Sequence, residues 1–494
     1  MSDGAALDRV PTGISGFDLV ALGGLPAGRC TLVSGSTGSG KTLFAIEFLA
    51  RGVDRFDDPG VYVTFEESPA DLRRNAAAMG FPIERWEREG KWIFVDASAE
   101  IAGETTTVGV YNFAAITARI DAAVRQIGAR RVSLDSVGSI FTRFPDVAMV
   151  RYELHRIATA MEGLGVTSVL TAERTVEYDG VSRLGVEEFV LNNVIILRNV
   201  LSNERRRRTV EIIKLRGAAH RTGEWLFTID EREGIVVIPL AFVAPRATAS
   251  AERVSSGNPG LDTLCGGGFY KDAVVLLTGP TGTGKTLTSL KFAAEAVRSG
   301  ESCLLYTFDE NHDQLARNAA GWGLDLAAME ASGLLHVSAD YPEMASLEVH
   351  FLNVRRAIEE IRPSRLVIDT LSALERIATS RALLDFVIAL GSLLRRHNVT
   401  ALLTAAPSGY RPTAVSSAIA VELGSLADVT IMLRYVEAEG QIQRAIAVLQ
   451  TRGSAHDNAI RMVDIDADGM HIGEPLSVVS HVIPGGHYVP PTQQ

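Results

Sequence analysis

Gly35-Ser36-Thr37-Gly38-Ser39-Gly40-Lys41-Thr42 and Gly279-Pro280-Thr281-Gly282-Thr283-Gly284-Lys285-Thr286 both fit the pattern G-x-x-x-x-G-K-[ST]. In such a loop the glycines let successive backbone N–H groups close around phosphate oxygens. The lysine reaches the β- and γ-phosphates, and the threonine hydroxyl ligates Mg²⁺. Thr31-Leu32-Val33-Ser34 and Val274-Val275-Leu276-Leu277-Thr278 lead into the loops as buried strands. Residues 43–50 and 287–297 leave them as helices whose N-termini face the anion. This setting predicts two nucleoside triphosphate sites. The expected ATP-binding residues are Gly38, Ser39, Gly40, Lys41, Thr42 and Leu43 in the first loop, and Thr281, Gly282, Thr283, Gly284, Lys285, Thr286 and Leu287 in the second.

Other features recur at nearly the same offset as the loops, the mark of a tandem duplication rather than a short-period solenoid. Gly16-Phe17-Asp18 answers Gly260-Leu261-Asp262, and Thr64-Phe65-Glu66-Glu67 answers Thr307-Phe308-Asp309-Glu310. Arg74-Asn75-Ala76-Ala77 answers Arg317-Asn318-Ala319-Ala320, and Leu134-Asp135-Ser136 answers Ile368-Asp369-Thr370. Prolines and a run of alanine, threonine and serine over 239–253 interrupt the pattern between the halves. The expected organisation is a first domain over 1–243, a second over 244–475 and a short tail over 476–494. Each domain is large enough to bury its own core.

Hydrophobic residues make up 46% of the chain, yet no apolar run has the length of a membrane span, and the first residues lack a basic-then-apolar targeting segment. A cytoplasmic protein with no membrane association is expected. Cys30, Cys265 and Cys303 are odd in number and widely spaced, so they are expected to be reduced core residues. The formal charge of −11 argues against a protein that wraps a nucleic-acid backbone. The basic run Arg205-Arg206-Arg207-Arg208 reads as a solvated turn before a strand over 209–214.

Strands and helices alternate after each loop, which predicts an α/β fold with a largely parallel twisted sheet and the phosphate site at the strands' carboxyl ends. Catalytic carboxylates should therefore end strands. Val61-Tyr62-Val63-Thr64-Phe65 runs into Glu66 and Glu67, which suit the polarisation of an attacking water. Residues 131–134 run into Asp135, which with Thr42 suits Mg²⁺. The second half repeats the scheme with Asp309 and Glu310 as acids and with Thr286 and Asp369 toward the metal. Asp309 is one methylene shorter than its counterpart, so the second site is expected to be slower or differently tuned.

The order of elements and the acid pairs resemble the RecA-like ATPases. Within them the chain is similar to the KaiC family of circadian-clock proteins over roughly Asp8 to Pro475. The likeness is carried by Thr64-Phe65-Glu66-Glu67-Ser68-Pro69, by Gly185-Val186-Glu187-Glu188-Phe189-Val190, by Glu204 to Arg208 with Glu211 to Gly217, and by Arg452-Gly453-Ser454-Ala455-His456-Asp457. The resemblance implies a homohexamer of two stacked RecA-like rings with ATP and Mg²⁺ held between neighbouring subunits. It implies that Lys214, Leu215, Arg216 and His220 reach the first-domain nucleotide of the adjacent protomer. Arg444, Gln450, Thr451, Arg452, Ser454 and His456 take the corresponding interface in the second ring, with Trp322 near the base. A cation supplied in trans would offset charge developing on the γ-phosphoryl group. Lys214 and Arg216, alternating along a strand, are expected to share one face.

Three departures limit the likeness. Gln450 stands where the family's second domain carries an interface lysine. Gly424-Ser425 stands where the family has adjacent serine and threonine phosphoacceptors, so Ser425 is the single autophosphorylation candidate, read as the start of the buried strand that follows. The tail is shorter than the one that recruits the activator KaiA, so dependence on KaiA is not expected, whereas a KaiB-like or other signalling partner is. The expected activity is that of an ATPase and serine/threonine autokinase in clock or stress signalling. The alternatives are a RecA-like recombinase or helicase, disfavoured by acidity and low aromatic content, and a nucleotide-gated scaffold without kinase activity.

Overall fold

The computed structural model describes residues 7–98, 113–138, 147–174, 177–178, 190–202, 205–238, 250–406, 423–438 and 441–476. Residues 239–249 of the expected linker, 185–189 of the glutamate-rich motif, Glu204 and the tail beyond 476 fall outside them. The chain divides into two compact units, Met1–Pro239 and Leu240–Gln494.

In the first unit the strands are β1 (Cys30–Gly35), β2 (Gly60–Thr64), β3 (Trp92–Asp96), β4 (Arg131–Asp135), β5 (Thr167–Glu173), β6 (Asn193–Ser202), β7 (Arg205–Leu215), β8 (Glu224–Asp230) and β9 (Gly234–Ile238). They form one nine-stranded sheet in the order β3-β2-β4-β5-β1-β6-β7-β8-β9. The six strands from β3 to β6 run parallel, and β6 to β9 continue antiparallel. The longer helices are α1 (Lys41–Phe56), α2 (Pro69–Ala78), α3 (Phe113–Ile127) and α4 (Val147–Gly163). Parallel strands buried on both faces read as near-continuous apolar runs, and every residue of β1, β2 and β4 is buried. Side chains alternate across the sheet. Tyr62 therefore joins Phe44, Phe48 and Trp92 on the α1 side, while Val61 and Val63 join Ile120, Leu154 and Met161 beneath α3 and α4.

The second unit repeats the plan. Its strands are β10 (Val274–Thr278), β11 (Cys303–Thr307), β12 (Leu335–Ala339), β13 (Arg365–Asp369), β14 (Thr400–Ala405), β15 (Val429–Ala438), β16 (Gln441–Thr451), β17 (Arg461–Asp466) and β18 (Gly469–Pro475). Their sheet order is β12-β11-β13-β14-β10-β15-β16-β17-β18, the order of the first sheet element for element. The helices include α5 (Lys285–Arg298), α6 (His312–Ala320), α7 (Leu347–Ile361) and α8 (Ser380–His397). These are two tandem RecA-like α/β domains of duplicated topology. The three cysteines are free and buried, as expected.

Three local expectations are corrected. The arginine run is strand rather than turn: β7 begins at Arg205 and pairs from Ser202↔Arg205 to Asn199↔Arg208, because β6 supplies backbone partners along the whole run. β7 ends at Leu215, so Arg216 stands just beyond the strand, its N–H bonded to Asn192 O at 3.2 Å. Ser425 does not open the following strand; it lies exposed in a helical turn at 423–426, and β15 starts only at Val429.

Candidate functional site

Each phosphate loop joins the central strand of its sheet to the N-terminus of the helix that follows, β1 to α1 and β10 to α5. Gly38 and Gly40 in the first loop, and Gly282 and Gly284 in the second, hold φ between +74° and +107°. Glycine alone adopts this left-handed backbone without strain. Lys41 Nζ donates to Ser36 O at 2.9 Å, and Lys285 Nζ donates to Gly279 O at 2.7 Å and Pro280 O at 3.0 Å. Each lysine thus sits on carbonyls of its own loop. Burial lowers the pKa of both lysines, opposed in the first domain by Glu173, Asp135, Glu66 and Glu177 and in the second by Asp369 and Asp309.

The acid pairs are fixed at both ends. Phe65 N–H donates to Asp135 O at 3.0 Å and Phe308 N–H to Asp369 O at 2.9 Å, so each pair begins beside the end of the neighbouring strand. On the far side Ser68 caps α2, and Asn311 caps α6 in a reciprocal box with Gln314. Burial raises the pKa of Glu67, helped by the Asp135, Asp71 and Glu66 charges. Burial likewise raises that of Glu310, against the Asn318 hydrogen bond and with the Asp369 and Asp309 charges. A carboxylate poised upward beside a phosphate loop is what a general base requires.

Asp135 and Asp369 are both buried. Asp135 accepts from Tyr62 Oη at 2.8 Å and from Thr171 Oγ1. Asp369 accepts from Thr404 Oγ1 and Thr286; burial pushes its carboxyl up, and these bonds together with the Lys285 charge counter it. The Thr286–Asp369 contact fits Mg²⁺, which is held through one or two protein oxygens plus phosphate and water rather than by an all-protein cage. Among the described residues no group of three or more metal-binding side chains exists that would compete for a cation.

The two acid pairs differ in what touches them. Asp309 Oδ1 accepts from Arg376 Nη1 at 3.0 Å, and Arg376 Nε also bonds Glu343 at 2.7 Å. Glu310 accepts from Asn318 Nδ2 at 3.0 Å.

The remaining predicted residues separate into two places. Leu215 pairs with Asn193, which pairs with Thr31 at the start of β1, whereas the phosphate loop follows the far end of that strand. Lys214, Leu215 and Arg216 therefore stand at the opposite end of the sheet from their own loop, and half-buried His220 follows them in the chain. The second domain repeats this: Val429↔Thr451 and Thr430↔Gln450 lie level with Val275 and Leu276, near the start of β10. Arg452 joins them, donating through Nη2 to the backbone oxygen of Ser425, and Ser454 accepts from Arg253 Nη2 at 2.6 Å; half-buried His456 lies two residues on. Strand rise alone carries Ser425 roughly 10 Å from its own loop. Trp322 packs half-buried against the α5-side core.

Arg444 is the exception. Its Nε donates to Gly282 O of its own loop at 2.9 Å, and its cross-strand partner Tyr435 donates to Thr281 O at 3.1 Å. Arg208 Nε and Asn199 Nδ2, paired across β6 and β7, do the same to Gly38 O, both at 3.3 Å. Sequence reasoning missed Arg208, Asn199 and Arg376. The first could have been found by carrying Arg444 back through the duplication.

Comparison with known proteins agrees with this geometry. The family model for the KaiC ATPase matches twice, over residues 10–241 and 254–477. The chain is 46% identical over 480 residues to the circadian clock protein KaiC3 of Synechocystis sp., covering 97% of this chain and 94% of that one. It is 43% identical to the circadian clock oscillator protein KaiC 1 of the same organism, and 43% identical to KaiC of Thermostichus vulcanus, each over 97% of this chain and 92% of the relative. Duplicated phosphate loops, strand-end carboxylates and full-length similarity together make this chain a member of the KaiC family of ATPases.

Proposed function

We propose that this KaiC-family ATPase works as a nucleotide-assembled double ring of six copies, hydrolysing ATP in the first domain and transferring phosphate to its own Ser425 in the second. One observation carries the reading: Lys214–Arg216 and Gln450–Arg452 lie at the opposite sheet end from the loop of their own domain. Cations at that end are out of reach of their own domain's triphosphate and would serve one held by a neighbouring copy. Lys41 and Lys285 would bind the phosphates, while Glu66 and Glu67 would orient and deprotonate the attacking water. In the second domain Asp309 or Glu310 would take the Ser425 hydroxyl proton, and Arg452 would face the transferring group. Thr42 with Asp135, and Thr286 with Asp369, would hold Mg²⁺, which when bound neutralises charge on the β- and γ-phosphate oxygens.

Similarity to circadian clock proteins supports a role in clock or stress signalling with a KaiB-like or other signalling partner. Among the described residues no helix is long and apolar enough to cross a membrane. Light scattering of the full chain with and without Mg·ATP, followed by intact-mass measurement, tests the proposal. The expected outcome is a monomer that assembles with nucleotide and gains one phosphate, lost in Ser425→Ala. A monomer at saturating Mg·ATP would sink the shared-site reading. Assembly without added mass, or with the phosphate on another hydroxyl, would retire Ser425 and leave the second domain a plain ATPase.

A further inference from the structure

Glu177 takes no part in the mechanism above, yet it touches the first phosphate loop. Ser36 Oγ donates to Glu177 Oε1 at 2.5 Å, and Asn199 N–H donates to Oε2 at 3.4 Å. Ser36 is also the residue whose carbonyl receives Lys41 Nζ at 2.9 Å, so the carboxylate sits next to the resting place of the phosphate-binding lysine. Its negative charge reaches that lysine along with those of Glu173, Asp135 and Glu66.

The contact is held from behind. Arg198 is buried, with ion pairs to Glu211 at 2.6 Å and Glu224 at 2.9 Å. Its Nε donates to the backbone oxygen of Glu177 at 3.1 Å, and its guanidinium lies 5.3 Å from the Tyr178 ring centroid. Arg198 thereby fixes the backbone of Glu177 while the carboxylate points at the loop. The second loop cannot copy this arrangement, because Pro280 occupies the position of Ser36 and offers no hydroxyl.

We propose that Glu177 is an autoinhibitory carboxylate specific to the first site: held on Ser36, it weakens triphosphate binding there by like-charge repulsion and lowers the preference for ATP over ADP. This inference rests on the reading of that loop as a nucleotide site. A polyanion at Lys41 must either displace the carboxylate from Ser36 or accept its field, and the cost rises with the charge of the ligand. Asp135 and the Glu66–Glu67 pair differ from it in kind, because in the proposed mechanism they would hold Mg²⁺ and orient the attacking water.

The test is a titration of fluorescent ATP and ADP analogues into the full chain carrying Lys285→Ala, which leaves the first loop as the intact one. Glu177→Gln keeps the shape and the acceptor for Ser36 but removes the charge. It is expected to bind the ATP analogue roughly five- to ten-fold more tightly at low salt and the ADP analogue with a smaller gain, both gains shrinking at high salt. Ser36→Ala, which releases the carboxylate, is expected to move affinity in the same direction by less. Unchanged or weaker ATP binding in Glu177→Gln overturns the proposal, and so does a gain that ignores salt and ligand charge, which would mark a purely structural contact. A Lys285→Ala parent that binds neither analogue would instead sink the nucleotide reading and this inference with it.

Discussion

The two domains share strand order, loop geometry and the strand-end aspartate, but their phosphate loops sit in different company. The first loop faces Glu66 and Glu67, carries Ser36 bonded to Glu177, and is braced by Asn199 and Arg208. The second faces Asp309, which Arg376 ties to Glu343, carries Pro280 and is braced by Tyr435 and Arg444. The two halves keep the phosphate loop and the strand-end carboxylates and differ in the side chains packed around them.

What the halves still share is tested most severely at Arg131 and Arg365, which begin β4 and β13. Arg131 is fully buried, pairs with Asp58 at 2.9 Å, donates to Phe48 O at 3.0 Å and lies over the Phe48 ring. It passes under α1 at Gly52, where a Cβ would meet its Nε at 2.7 Å. Arg365 matches it with Glu301 at 2.7 Å and the Phe292 ring. Truncating a fully buried arginine opens a cavity under the helix and leaves carbonyls such as Phe48 O without their donor, so Arg131→Ala and Arg365→Ala should each destabilise their own domain by about 3–5 kcal/mol. Urea unfolding reports it; a loss under 1 kcal/mol in either would show that the two anchors are not equivalent.

The next largest effect separates the acid pairs. With the second site silenced by Lys285→Ala, Glu66→Gln with Glu67→Gln should lower phosphate release by about two orders of magnitude. The matching Asp309→Asn with Glu310→Gln, on a Lys41→Ala background, should lower a turnover that is already smaller. Equal starting rates in the two single-site backgrounds would erase the proposed difference between the domains.

A third difference lies on the helices that follow the loops. Glu47 on α1 is buried, accepts from Ile235 N–H at 2.6 Å, and is pushed up to about 7 by burial despite the Ile235 bond and Arg51. The matching residue on α5 is Lys291, which donates outward to Asp468 O at 3.1 Å. A carboxyl with a raised folded pKa lets the native state hold a proton that the unfolded chain has lost. Its contribution is therefore complete below about pH 4.5 and disappears as pH rises through about 7. The first domain should lose on the order of 2–3 kcal/mol across that window, and Glu47→Gln should flatten the dependence. Urea unfolding at pH 5 and pH 8 for both proteins checks the sign; identical pH slopes would show that Glu47 titrates normally.

Much of this was legible in the sequence because phosphate loops, apolar strands and strand-end acids are local patterns. The loops, β1, β10 and the carboxylates at 66–67, 135, 309–310 and 369 needed no tertiary information. Arg208 and Arg376 did. Arg208 reads as one of four consecutive arginines until strand pairing with Asn199 aims it at Gly38. Arg376 reaches Asp309 from a short 3₁₀ helix, Leu371–Arg376, far away in the chain. Strand ends were likewise invisible to periodicity, since Arg216 continues an alternation that the backbone abandons and the apolar residues after Ser425 begin before the strand does.

Arg376 gives the smallest and sharpest test of the contrast. Its guanidinium bridges Asp309 and Glu343 at a half-exposed position, so the pair adds little to stability. Its consequence is positional: the Asp309 carboxylate bonded to Arg376 is held in one orientation and turned away from any other partner. In the first domain Glu66 stands at the matching position with one more methylene of reach. On a Lys41→Ala background, Arg376→Ala should therefore raise second-domain turnover by a few fold while leaving unfolding within about 0.5 kcal/mol of the parent. Arg376→Lys, which keeps the charge, should remain near the parent rate. A fall in turnover would mean that Arg376 serves the transition state instead of restraining the base, and the difference between the two domains would then lie in Asp309's length alone.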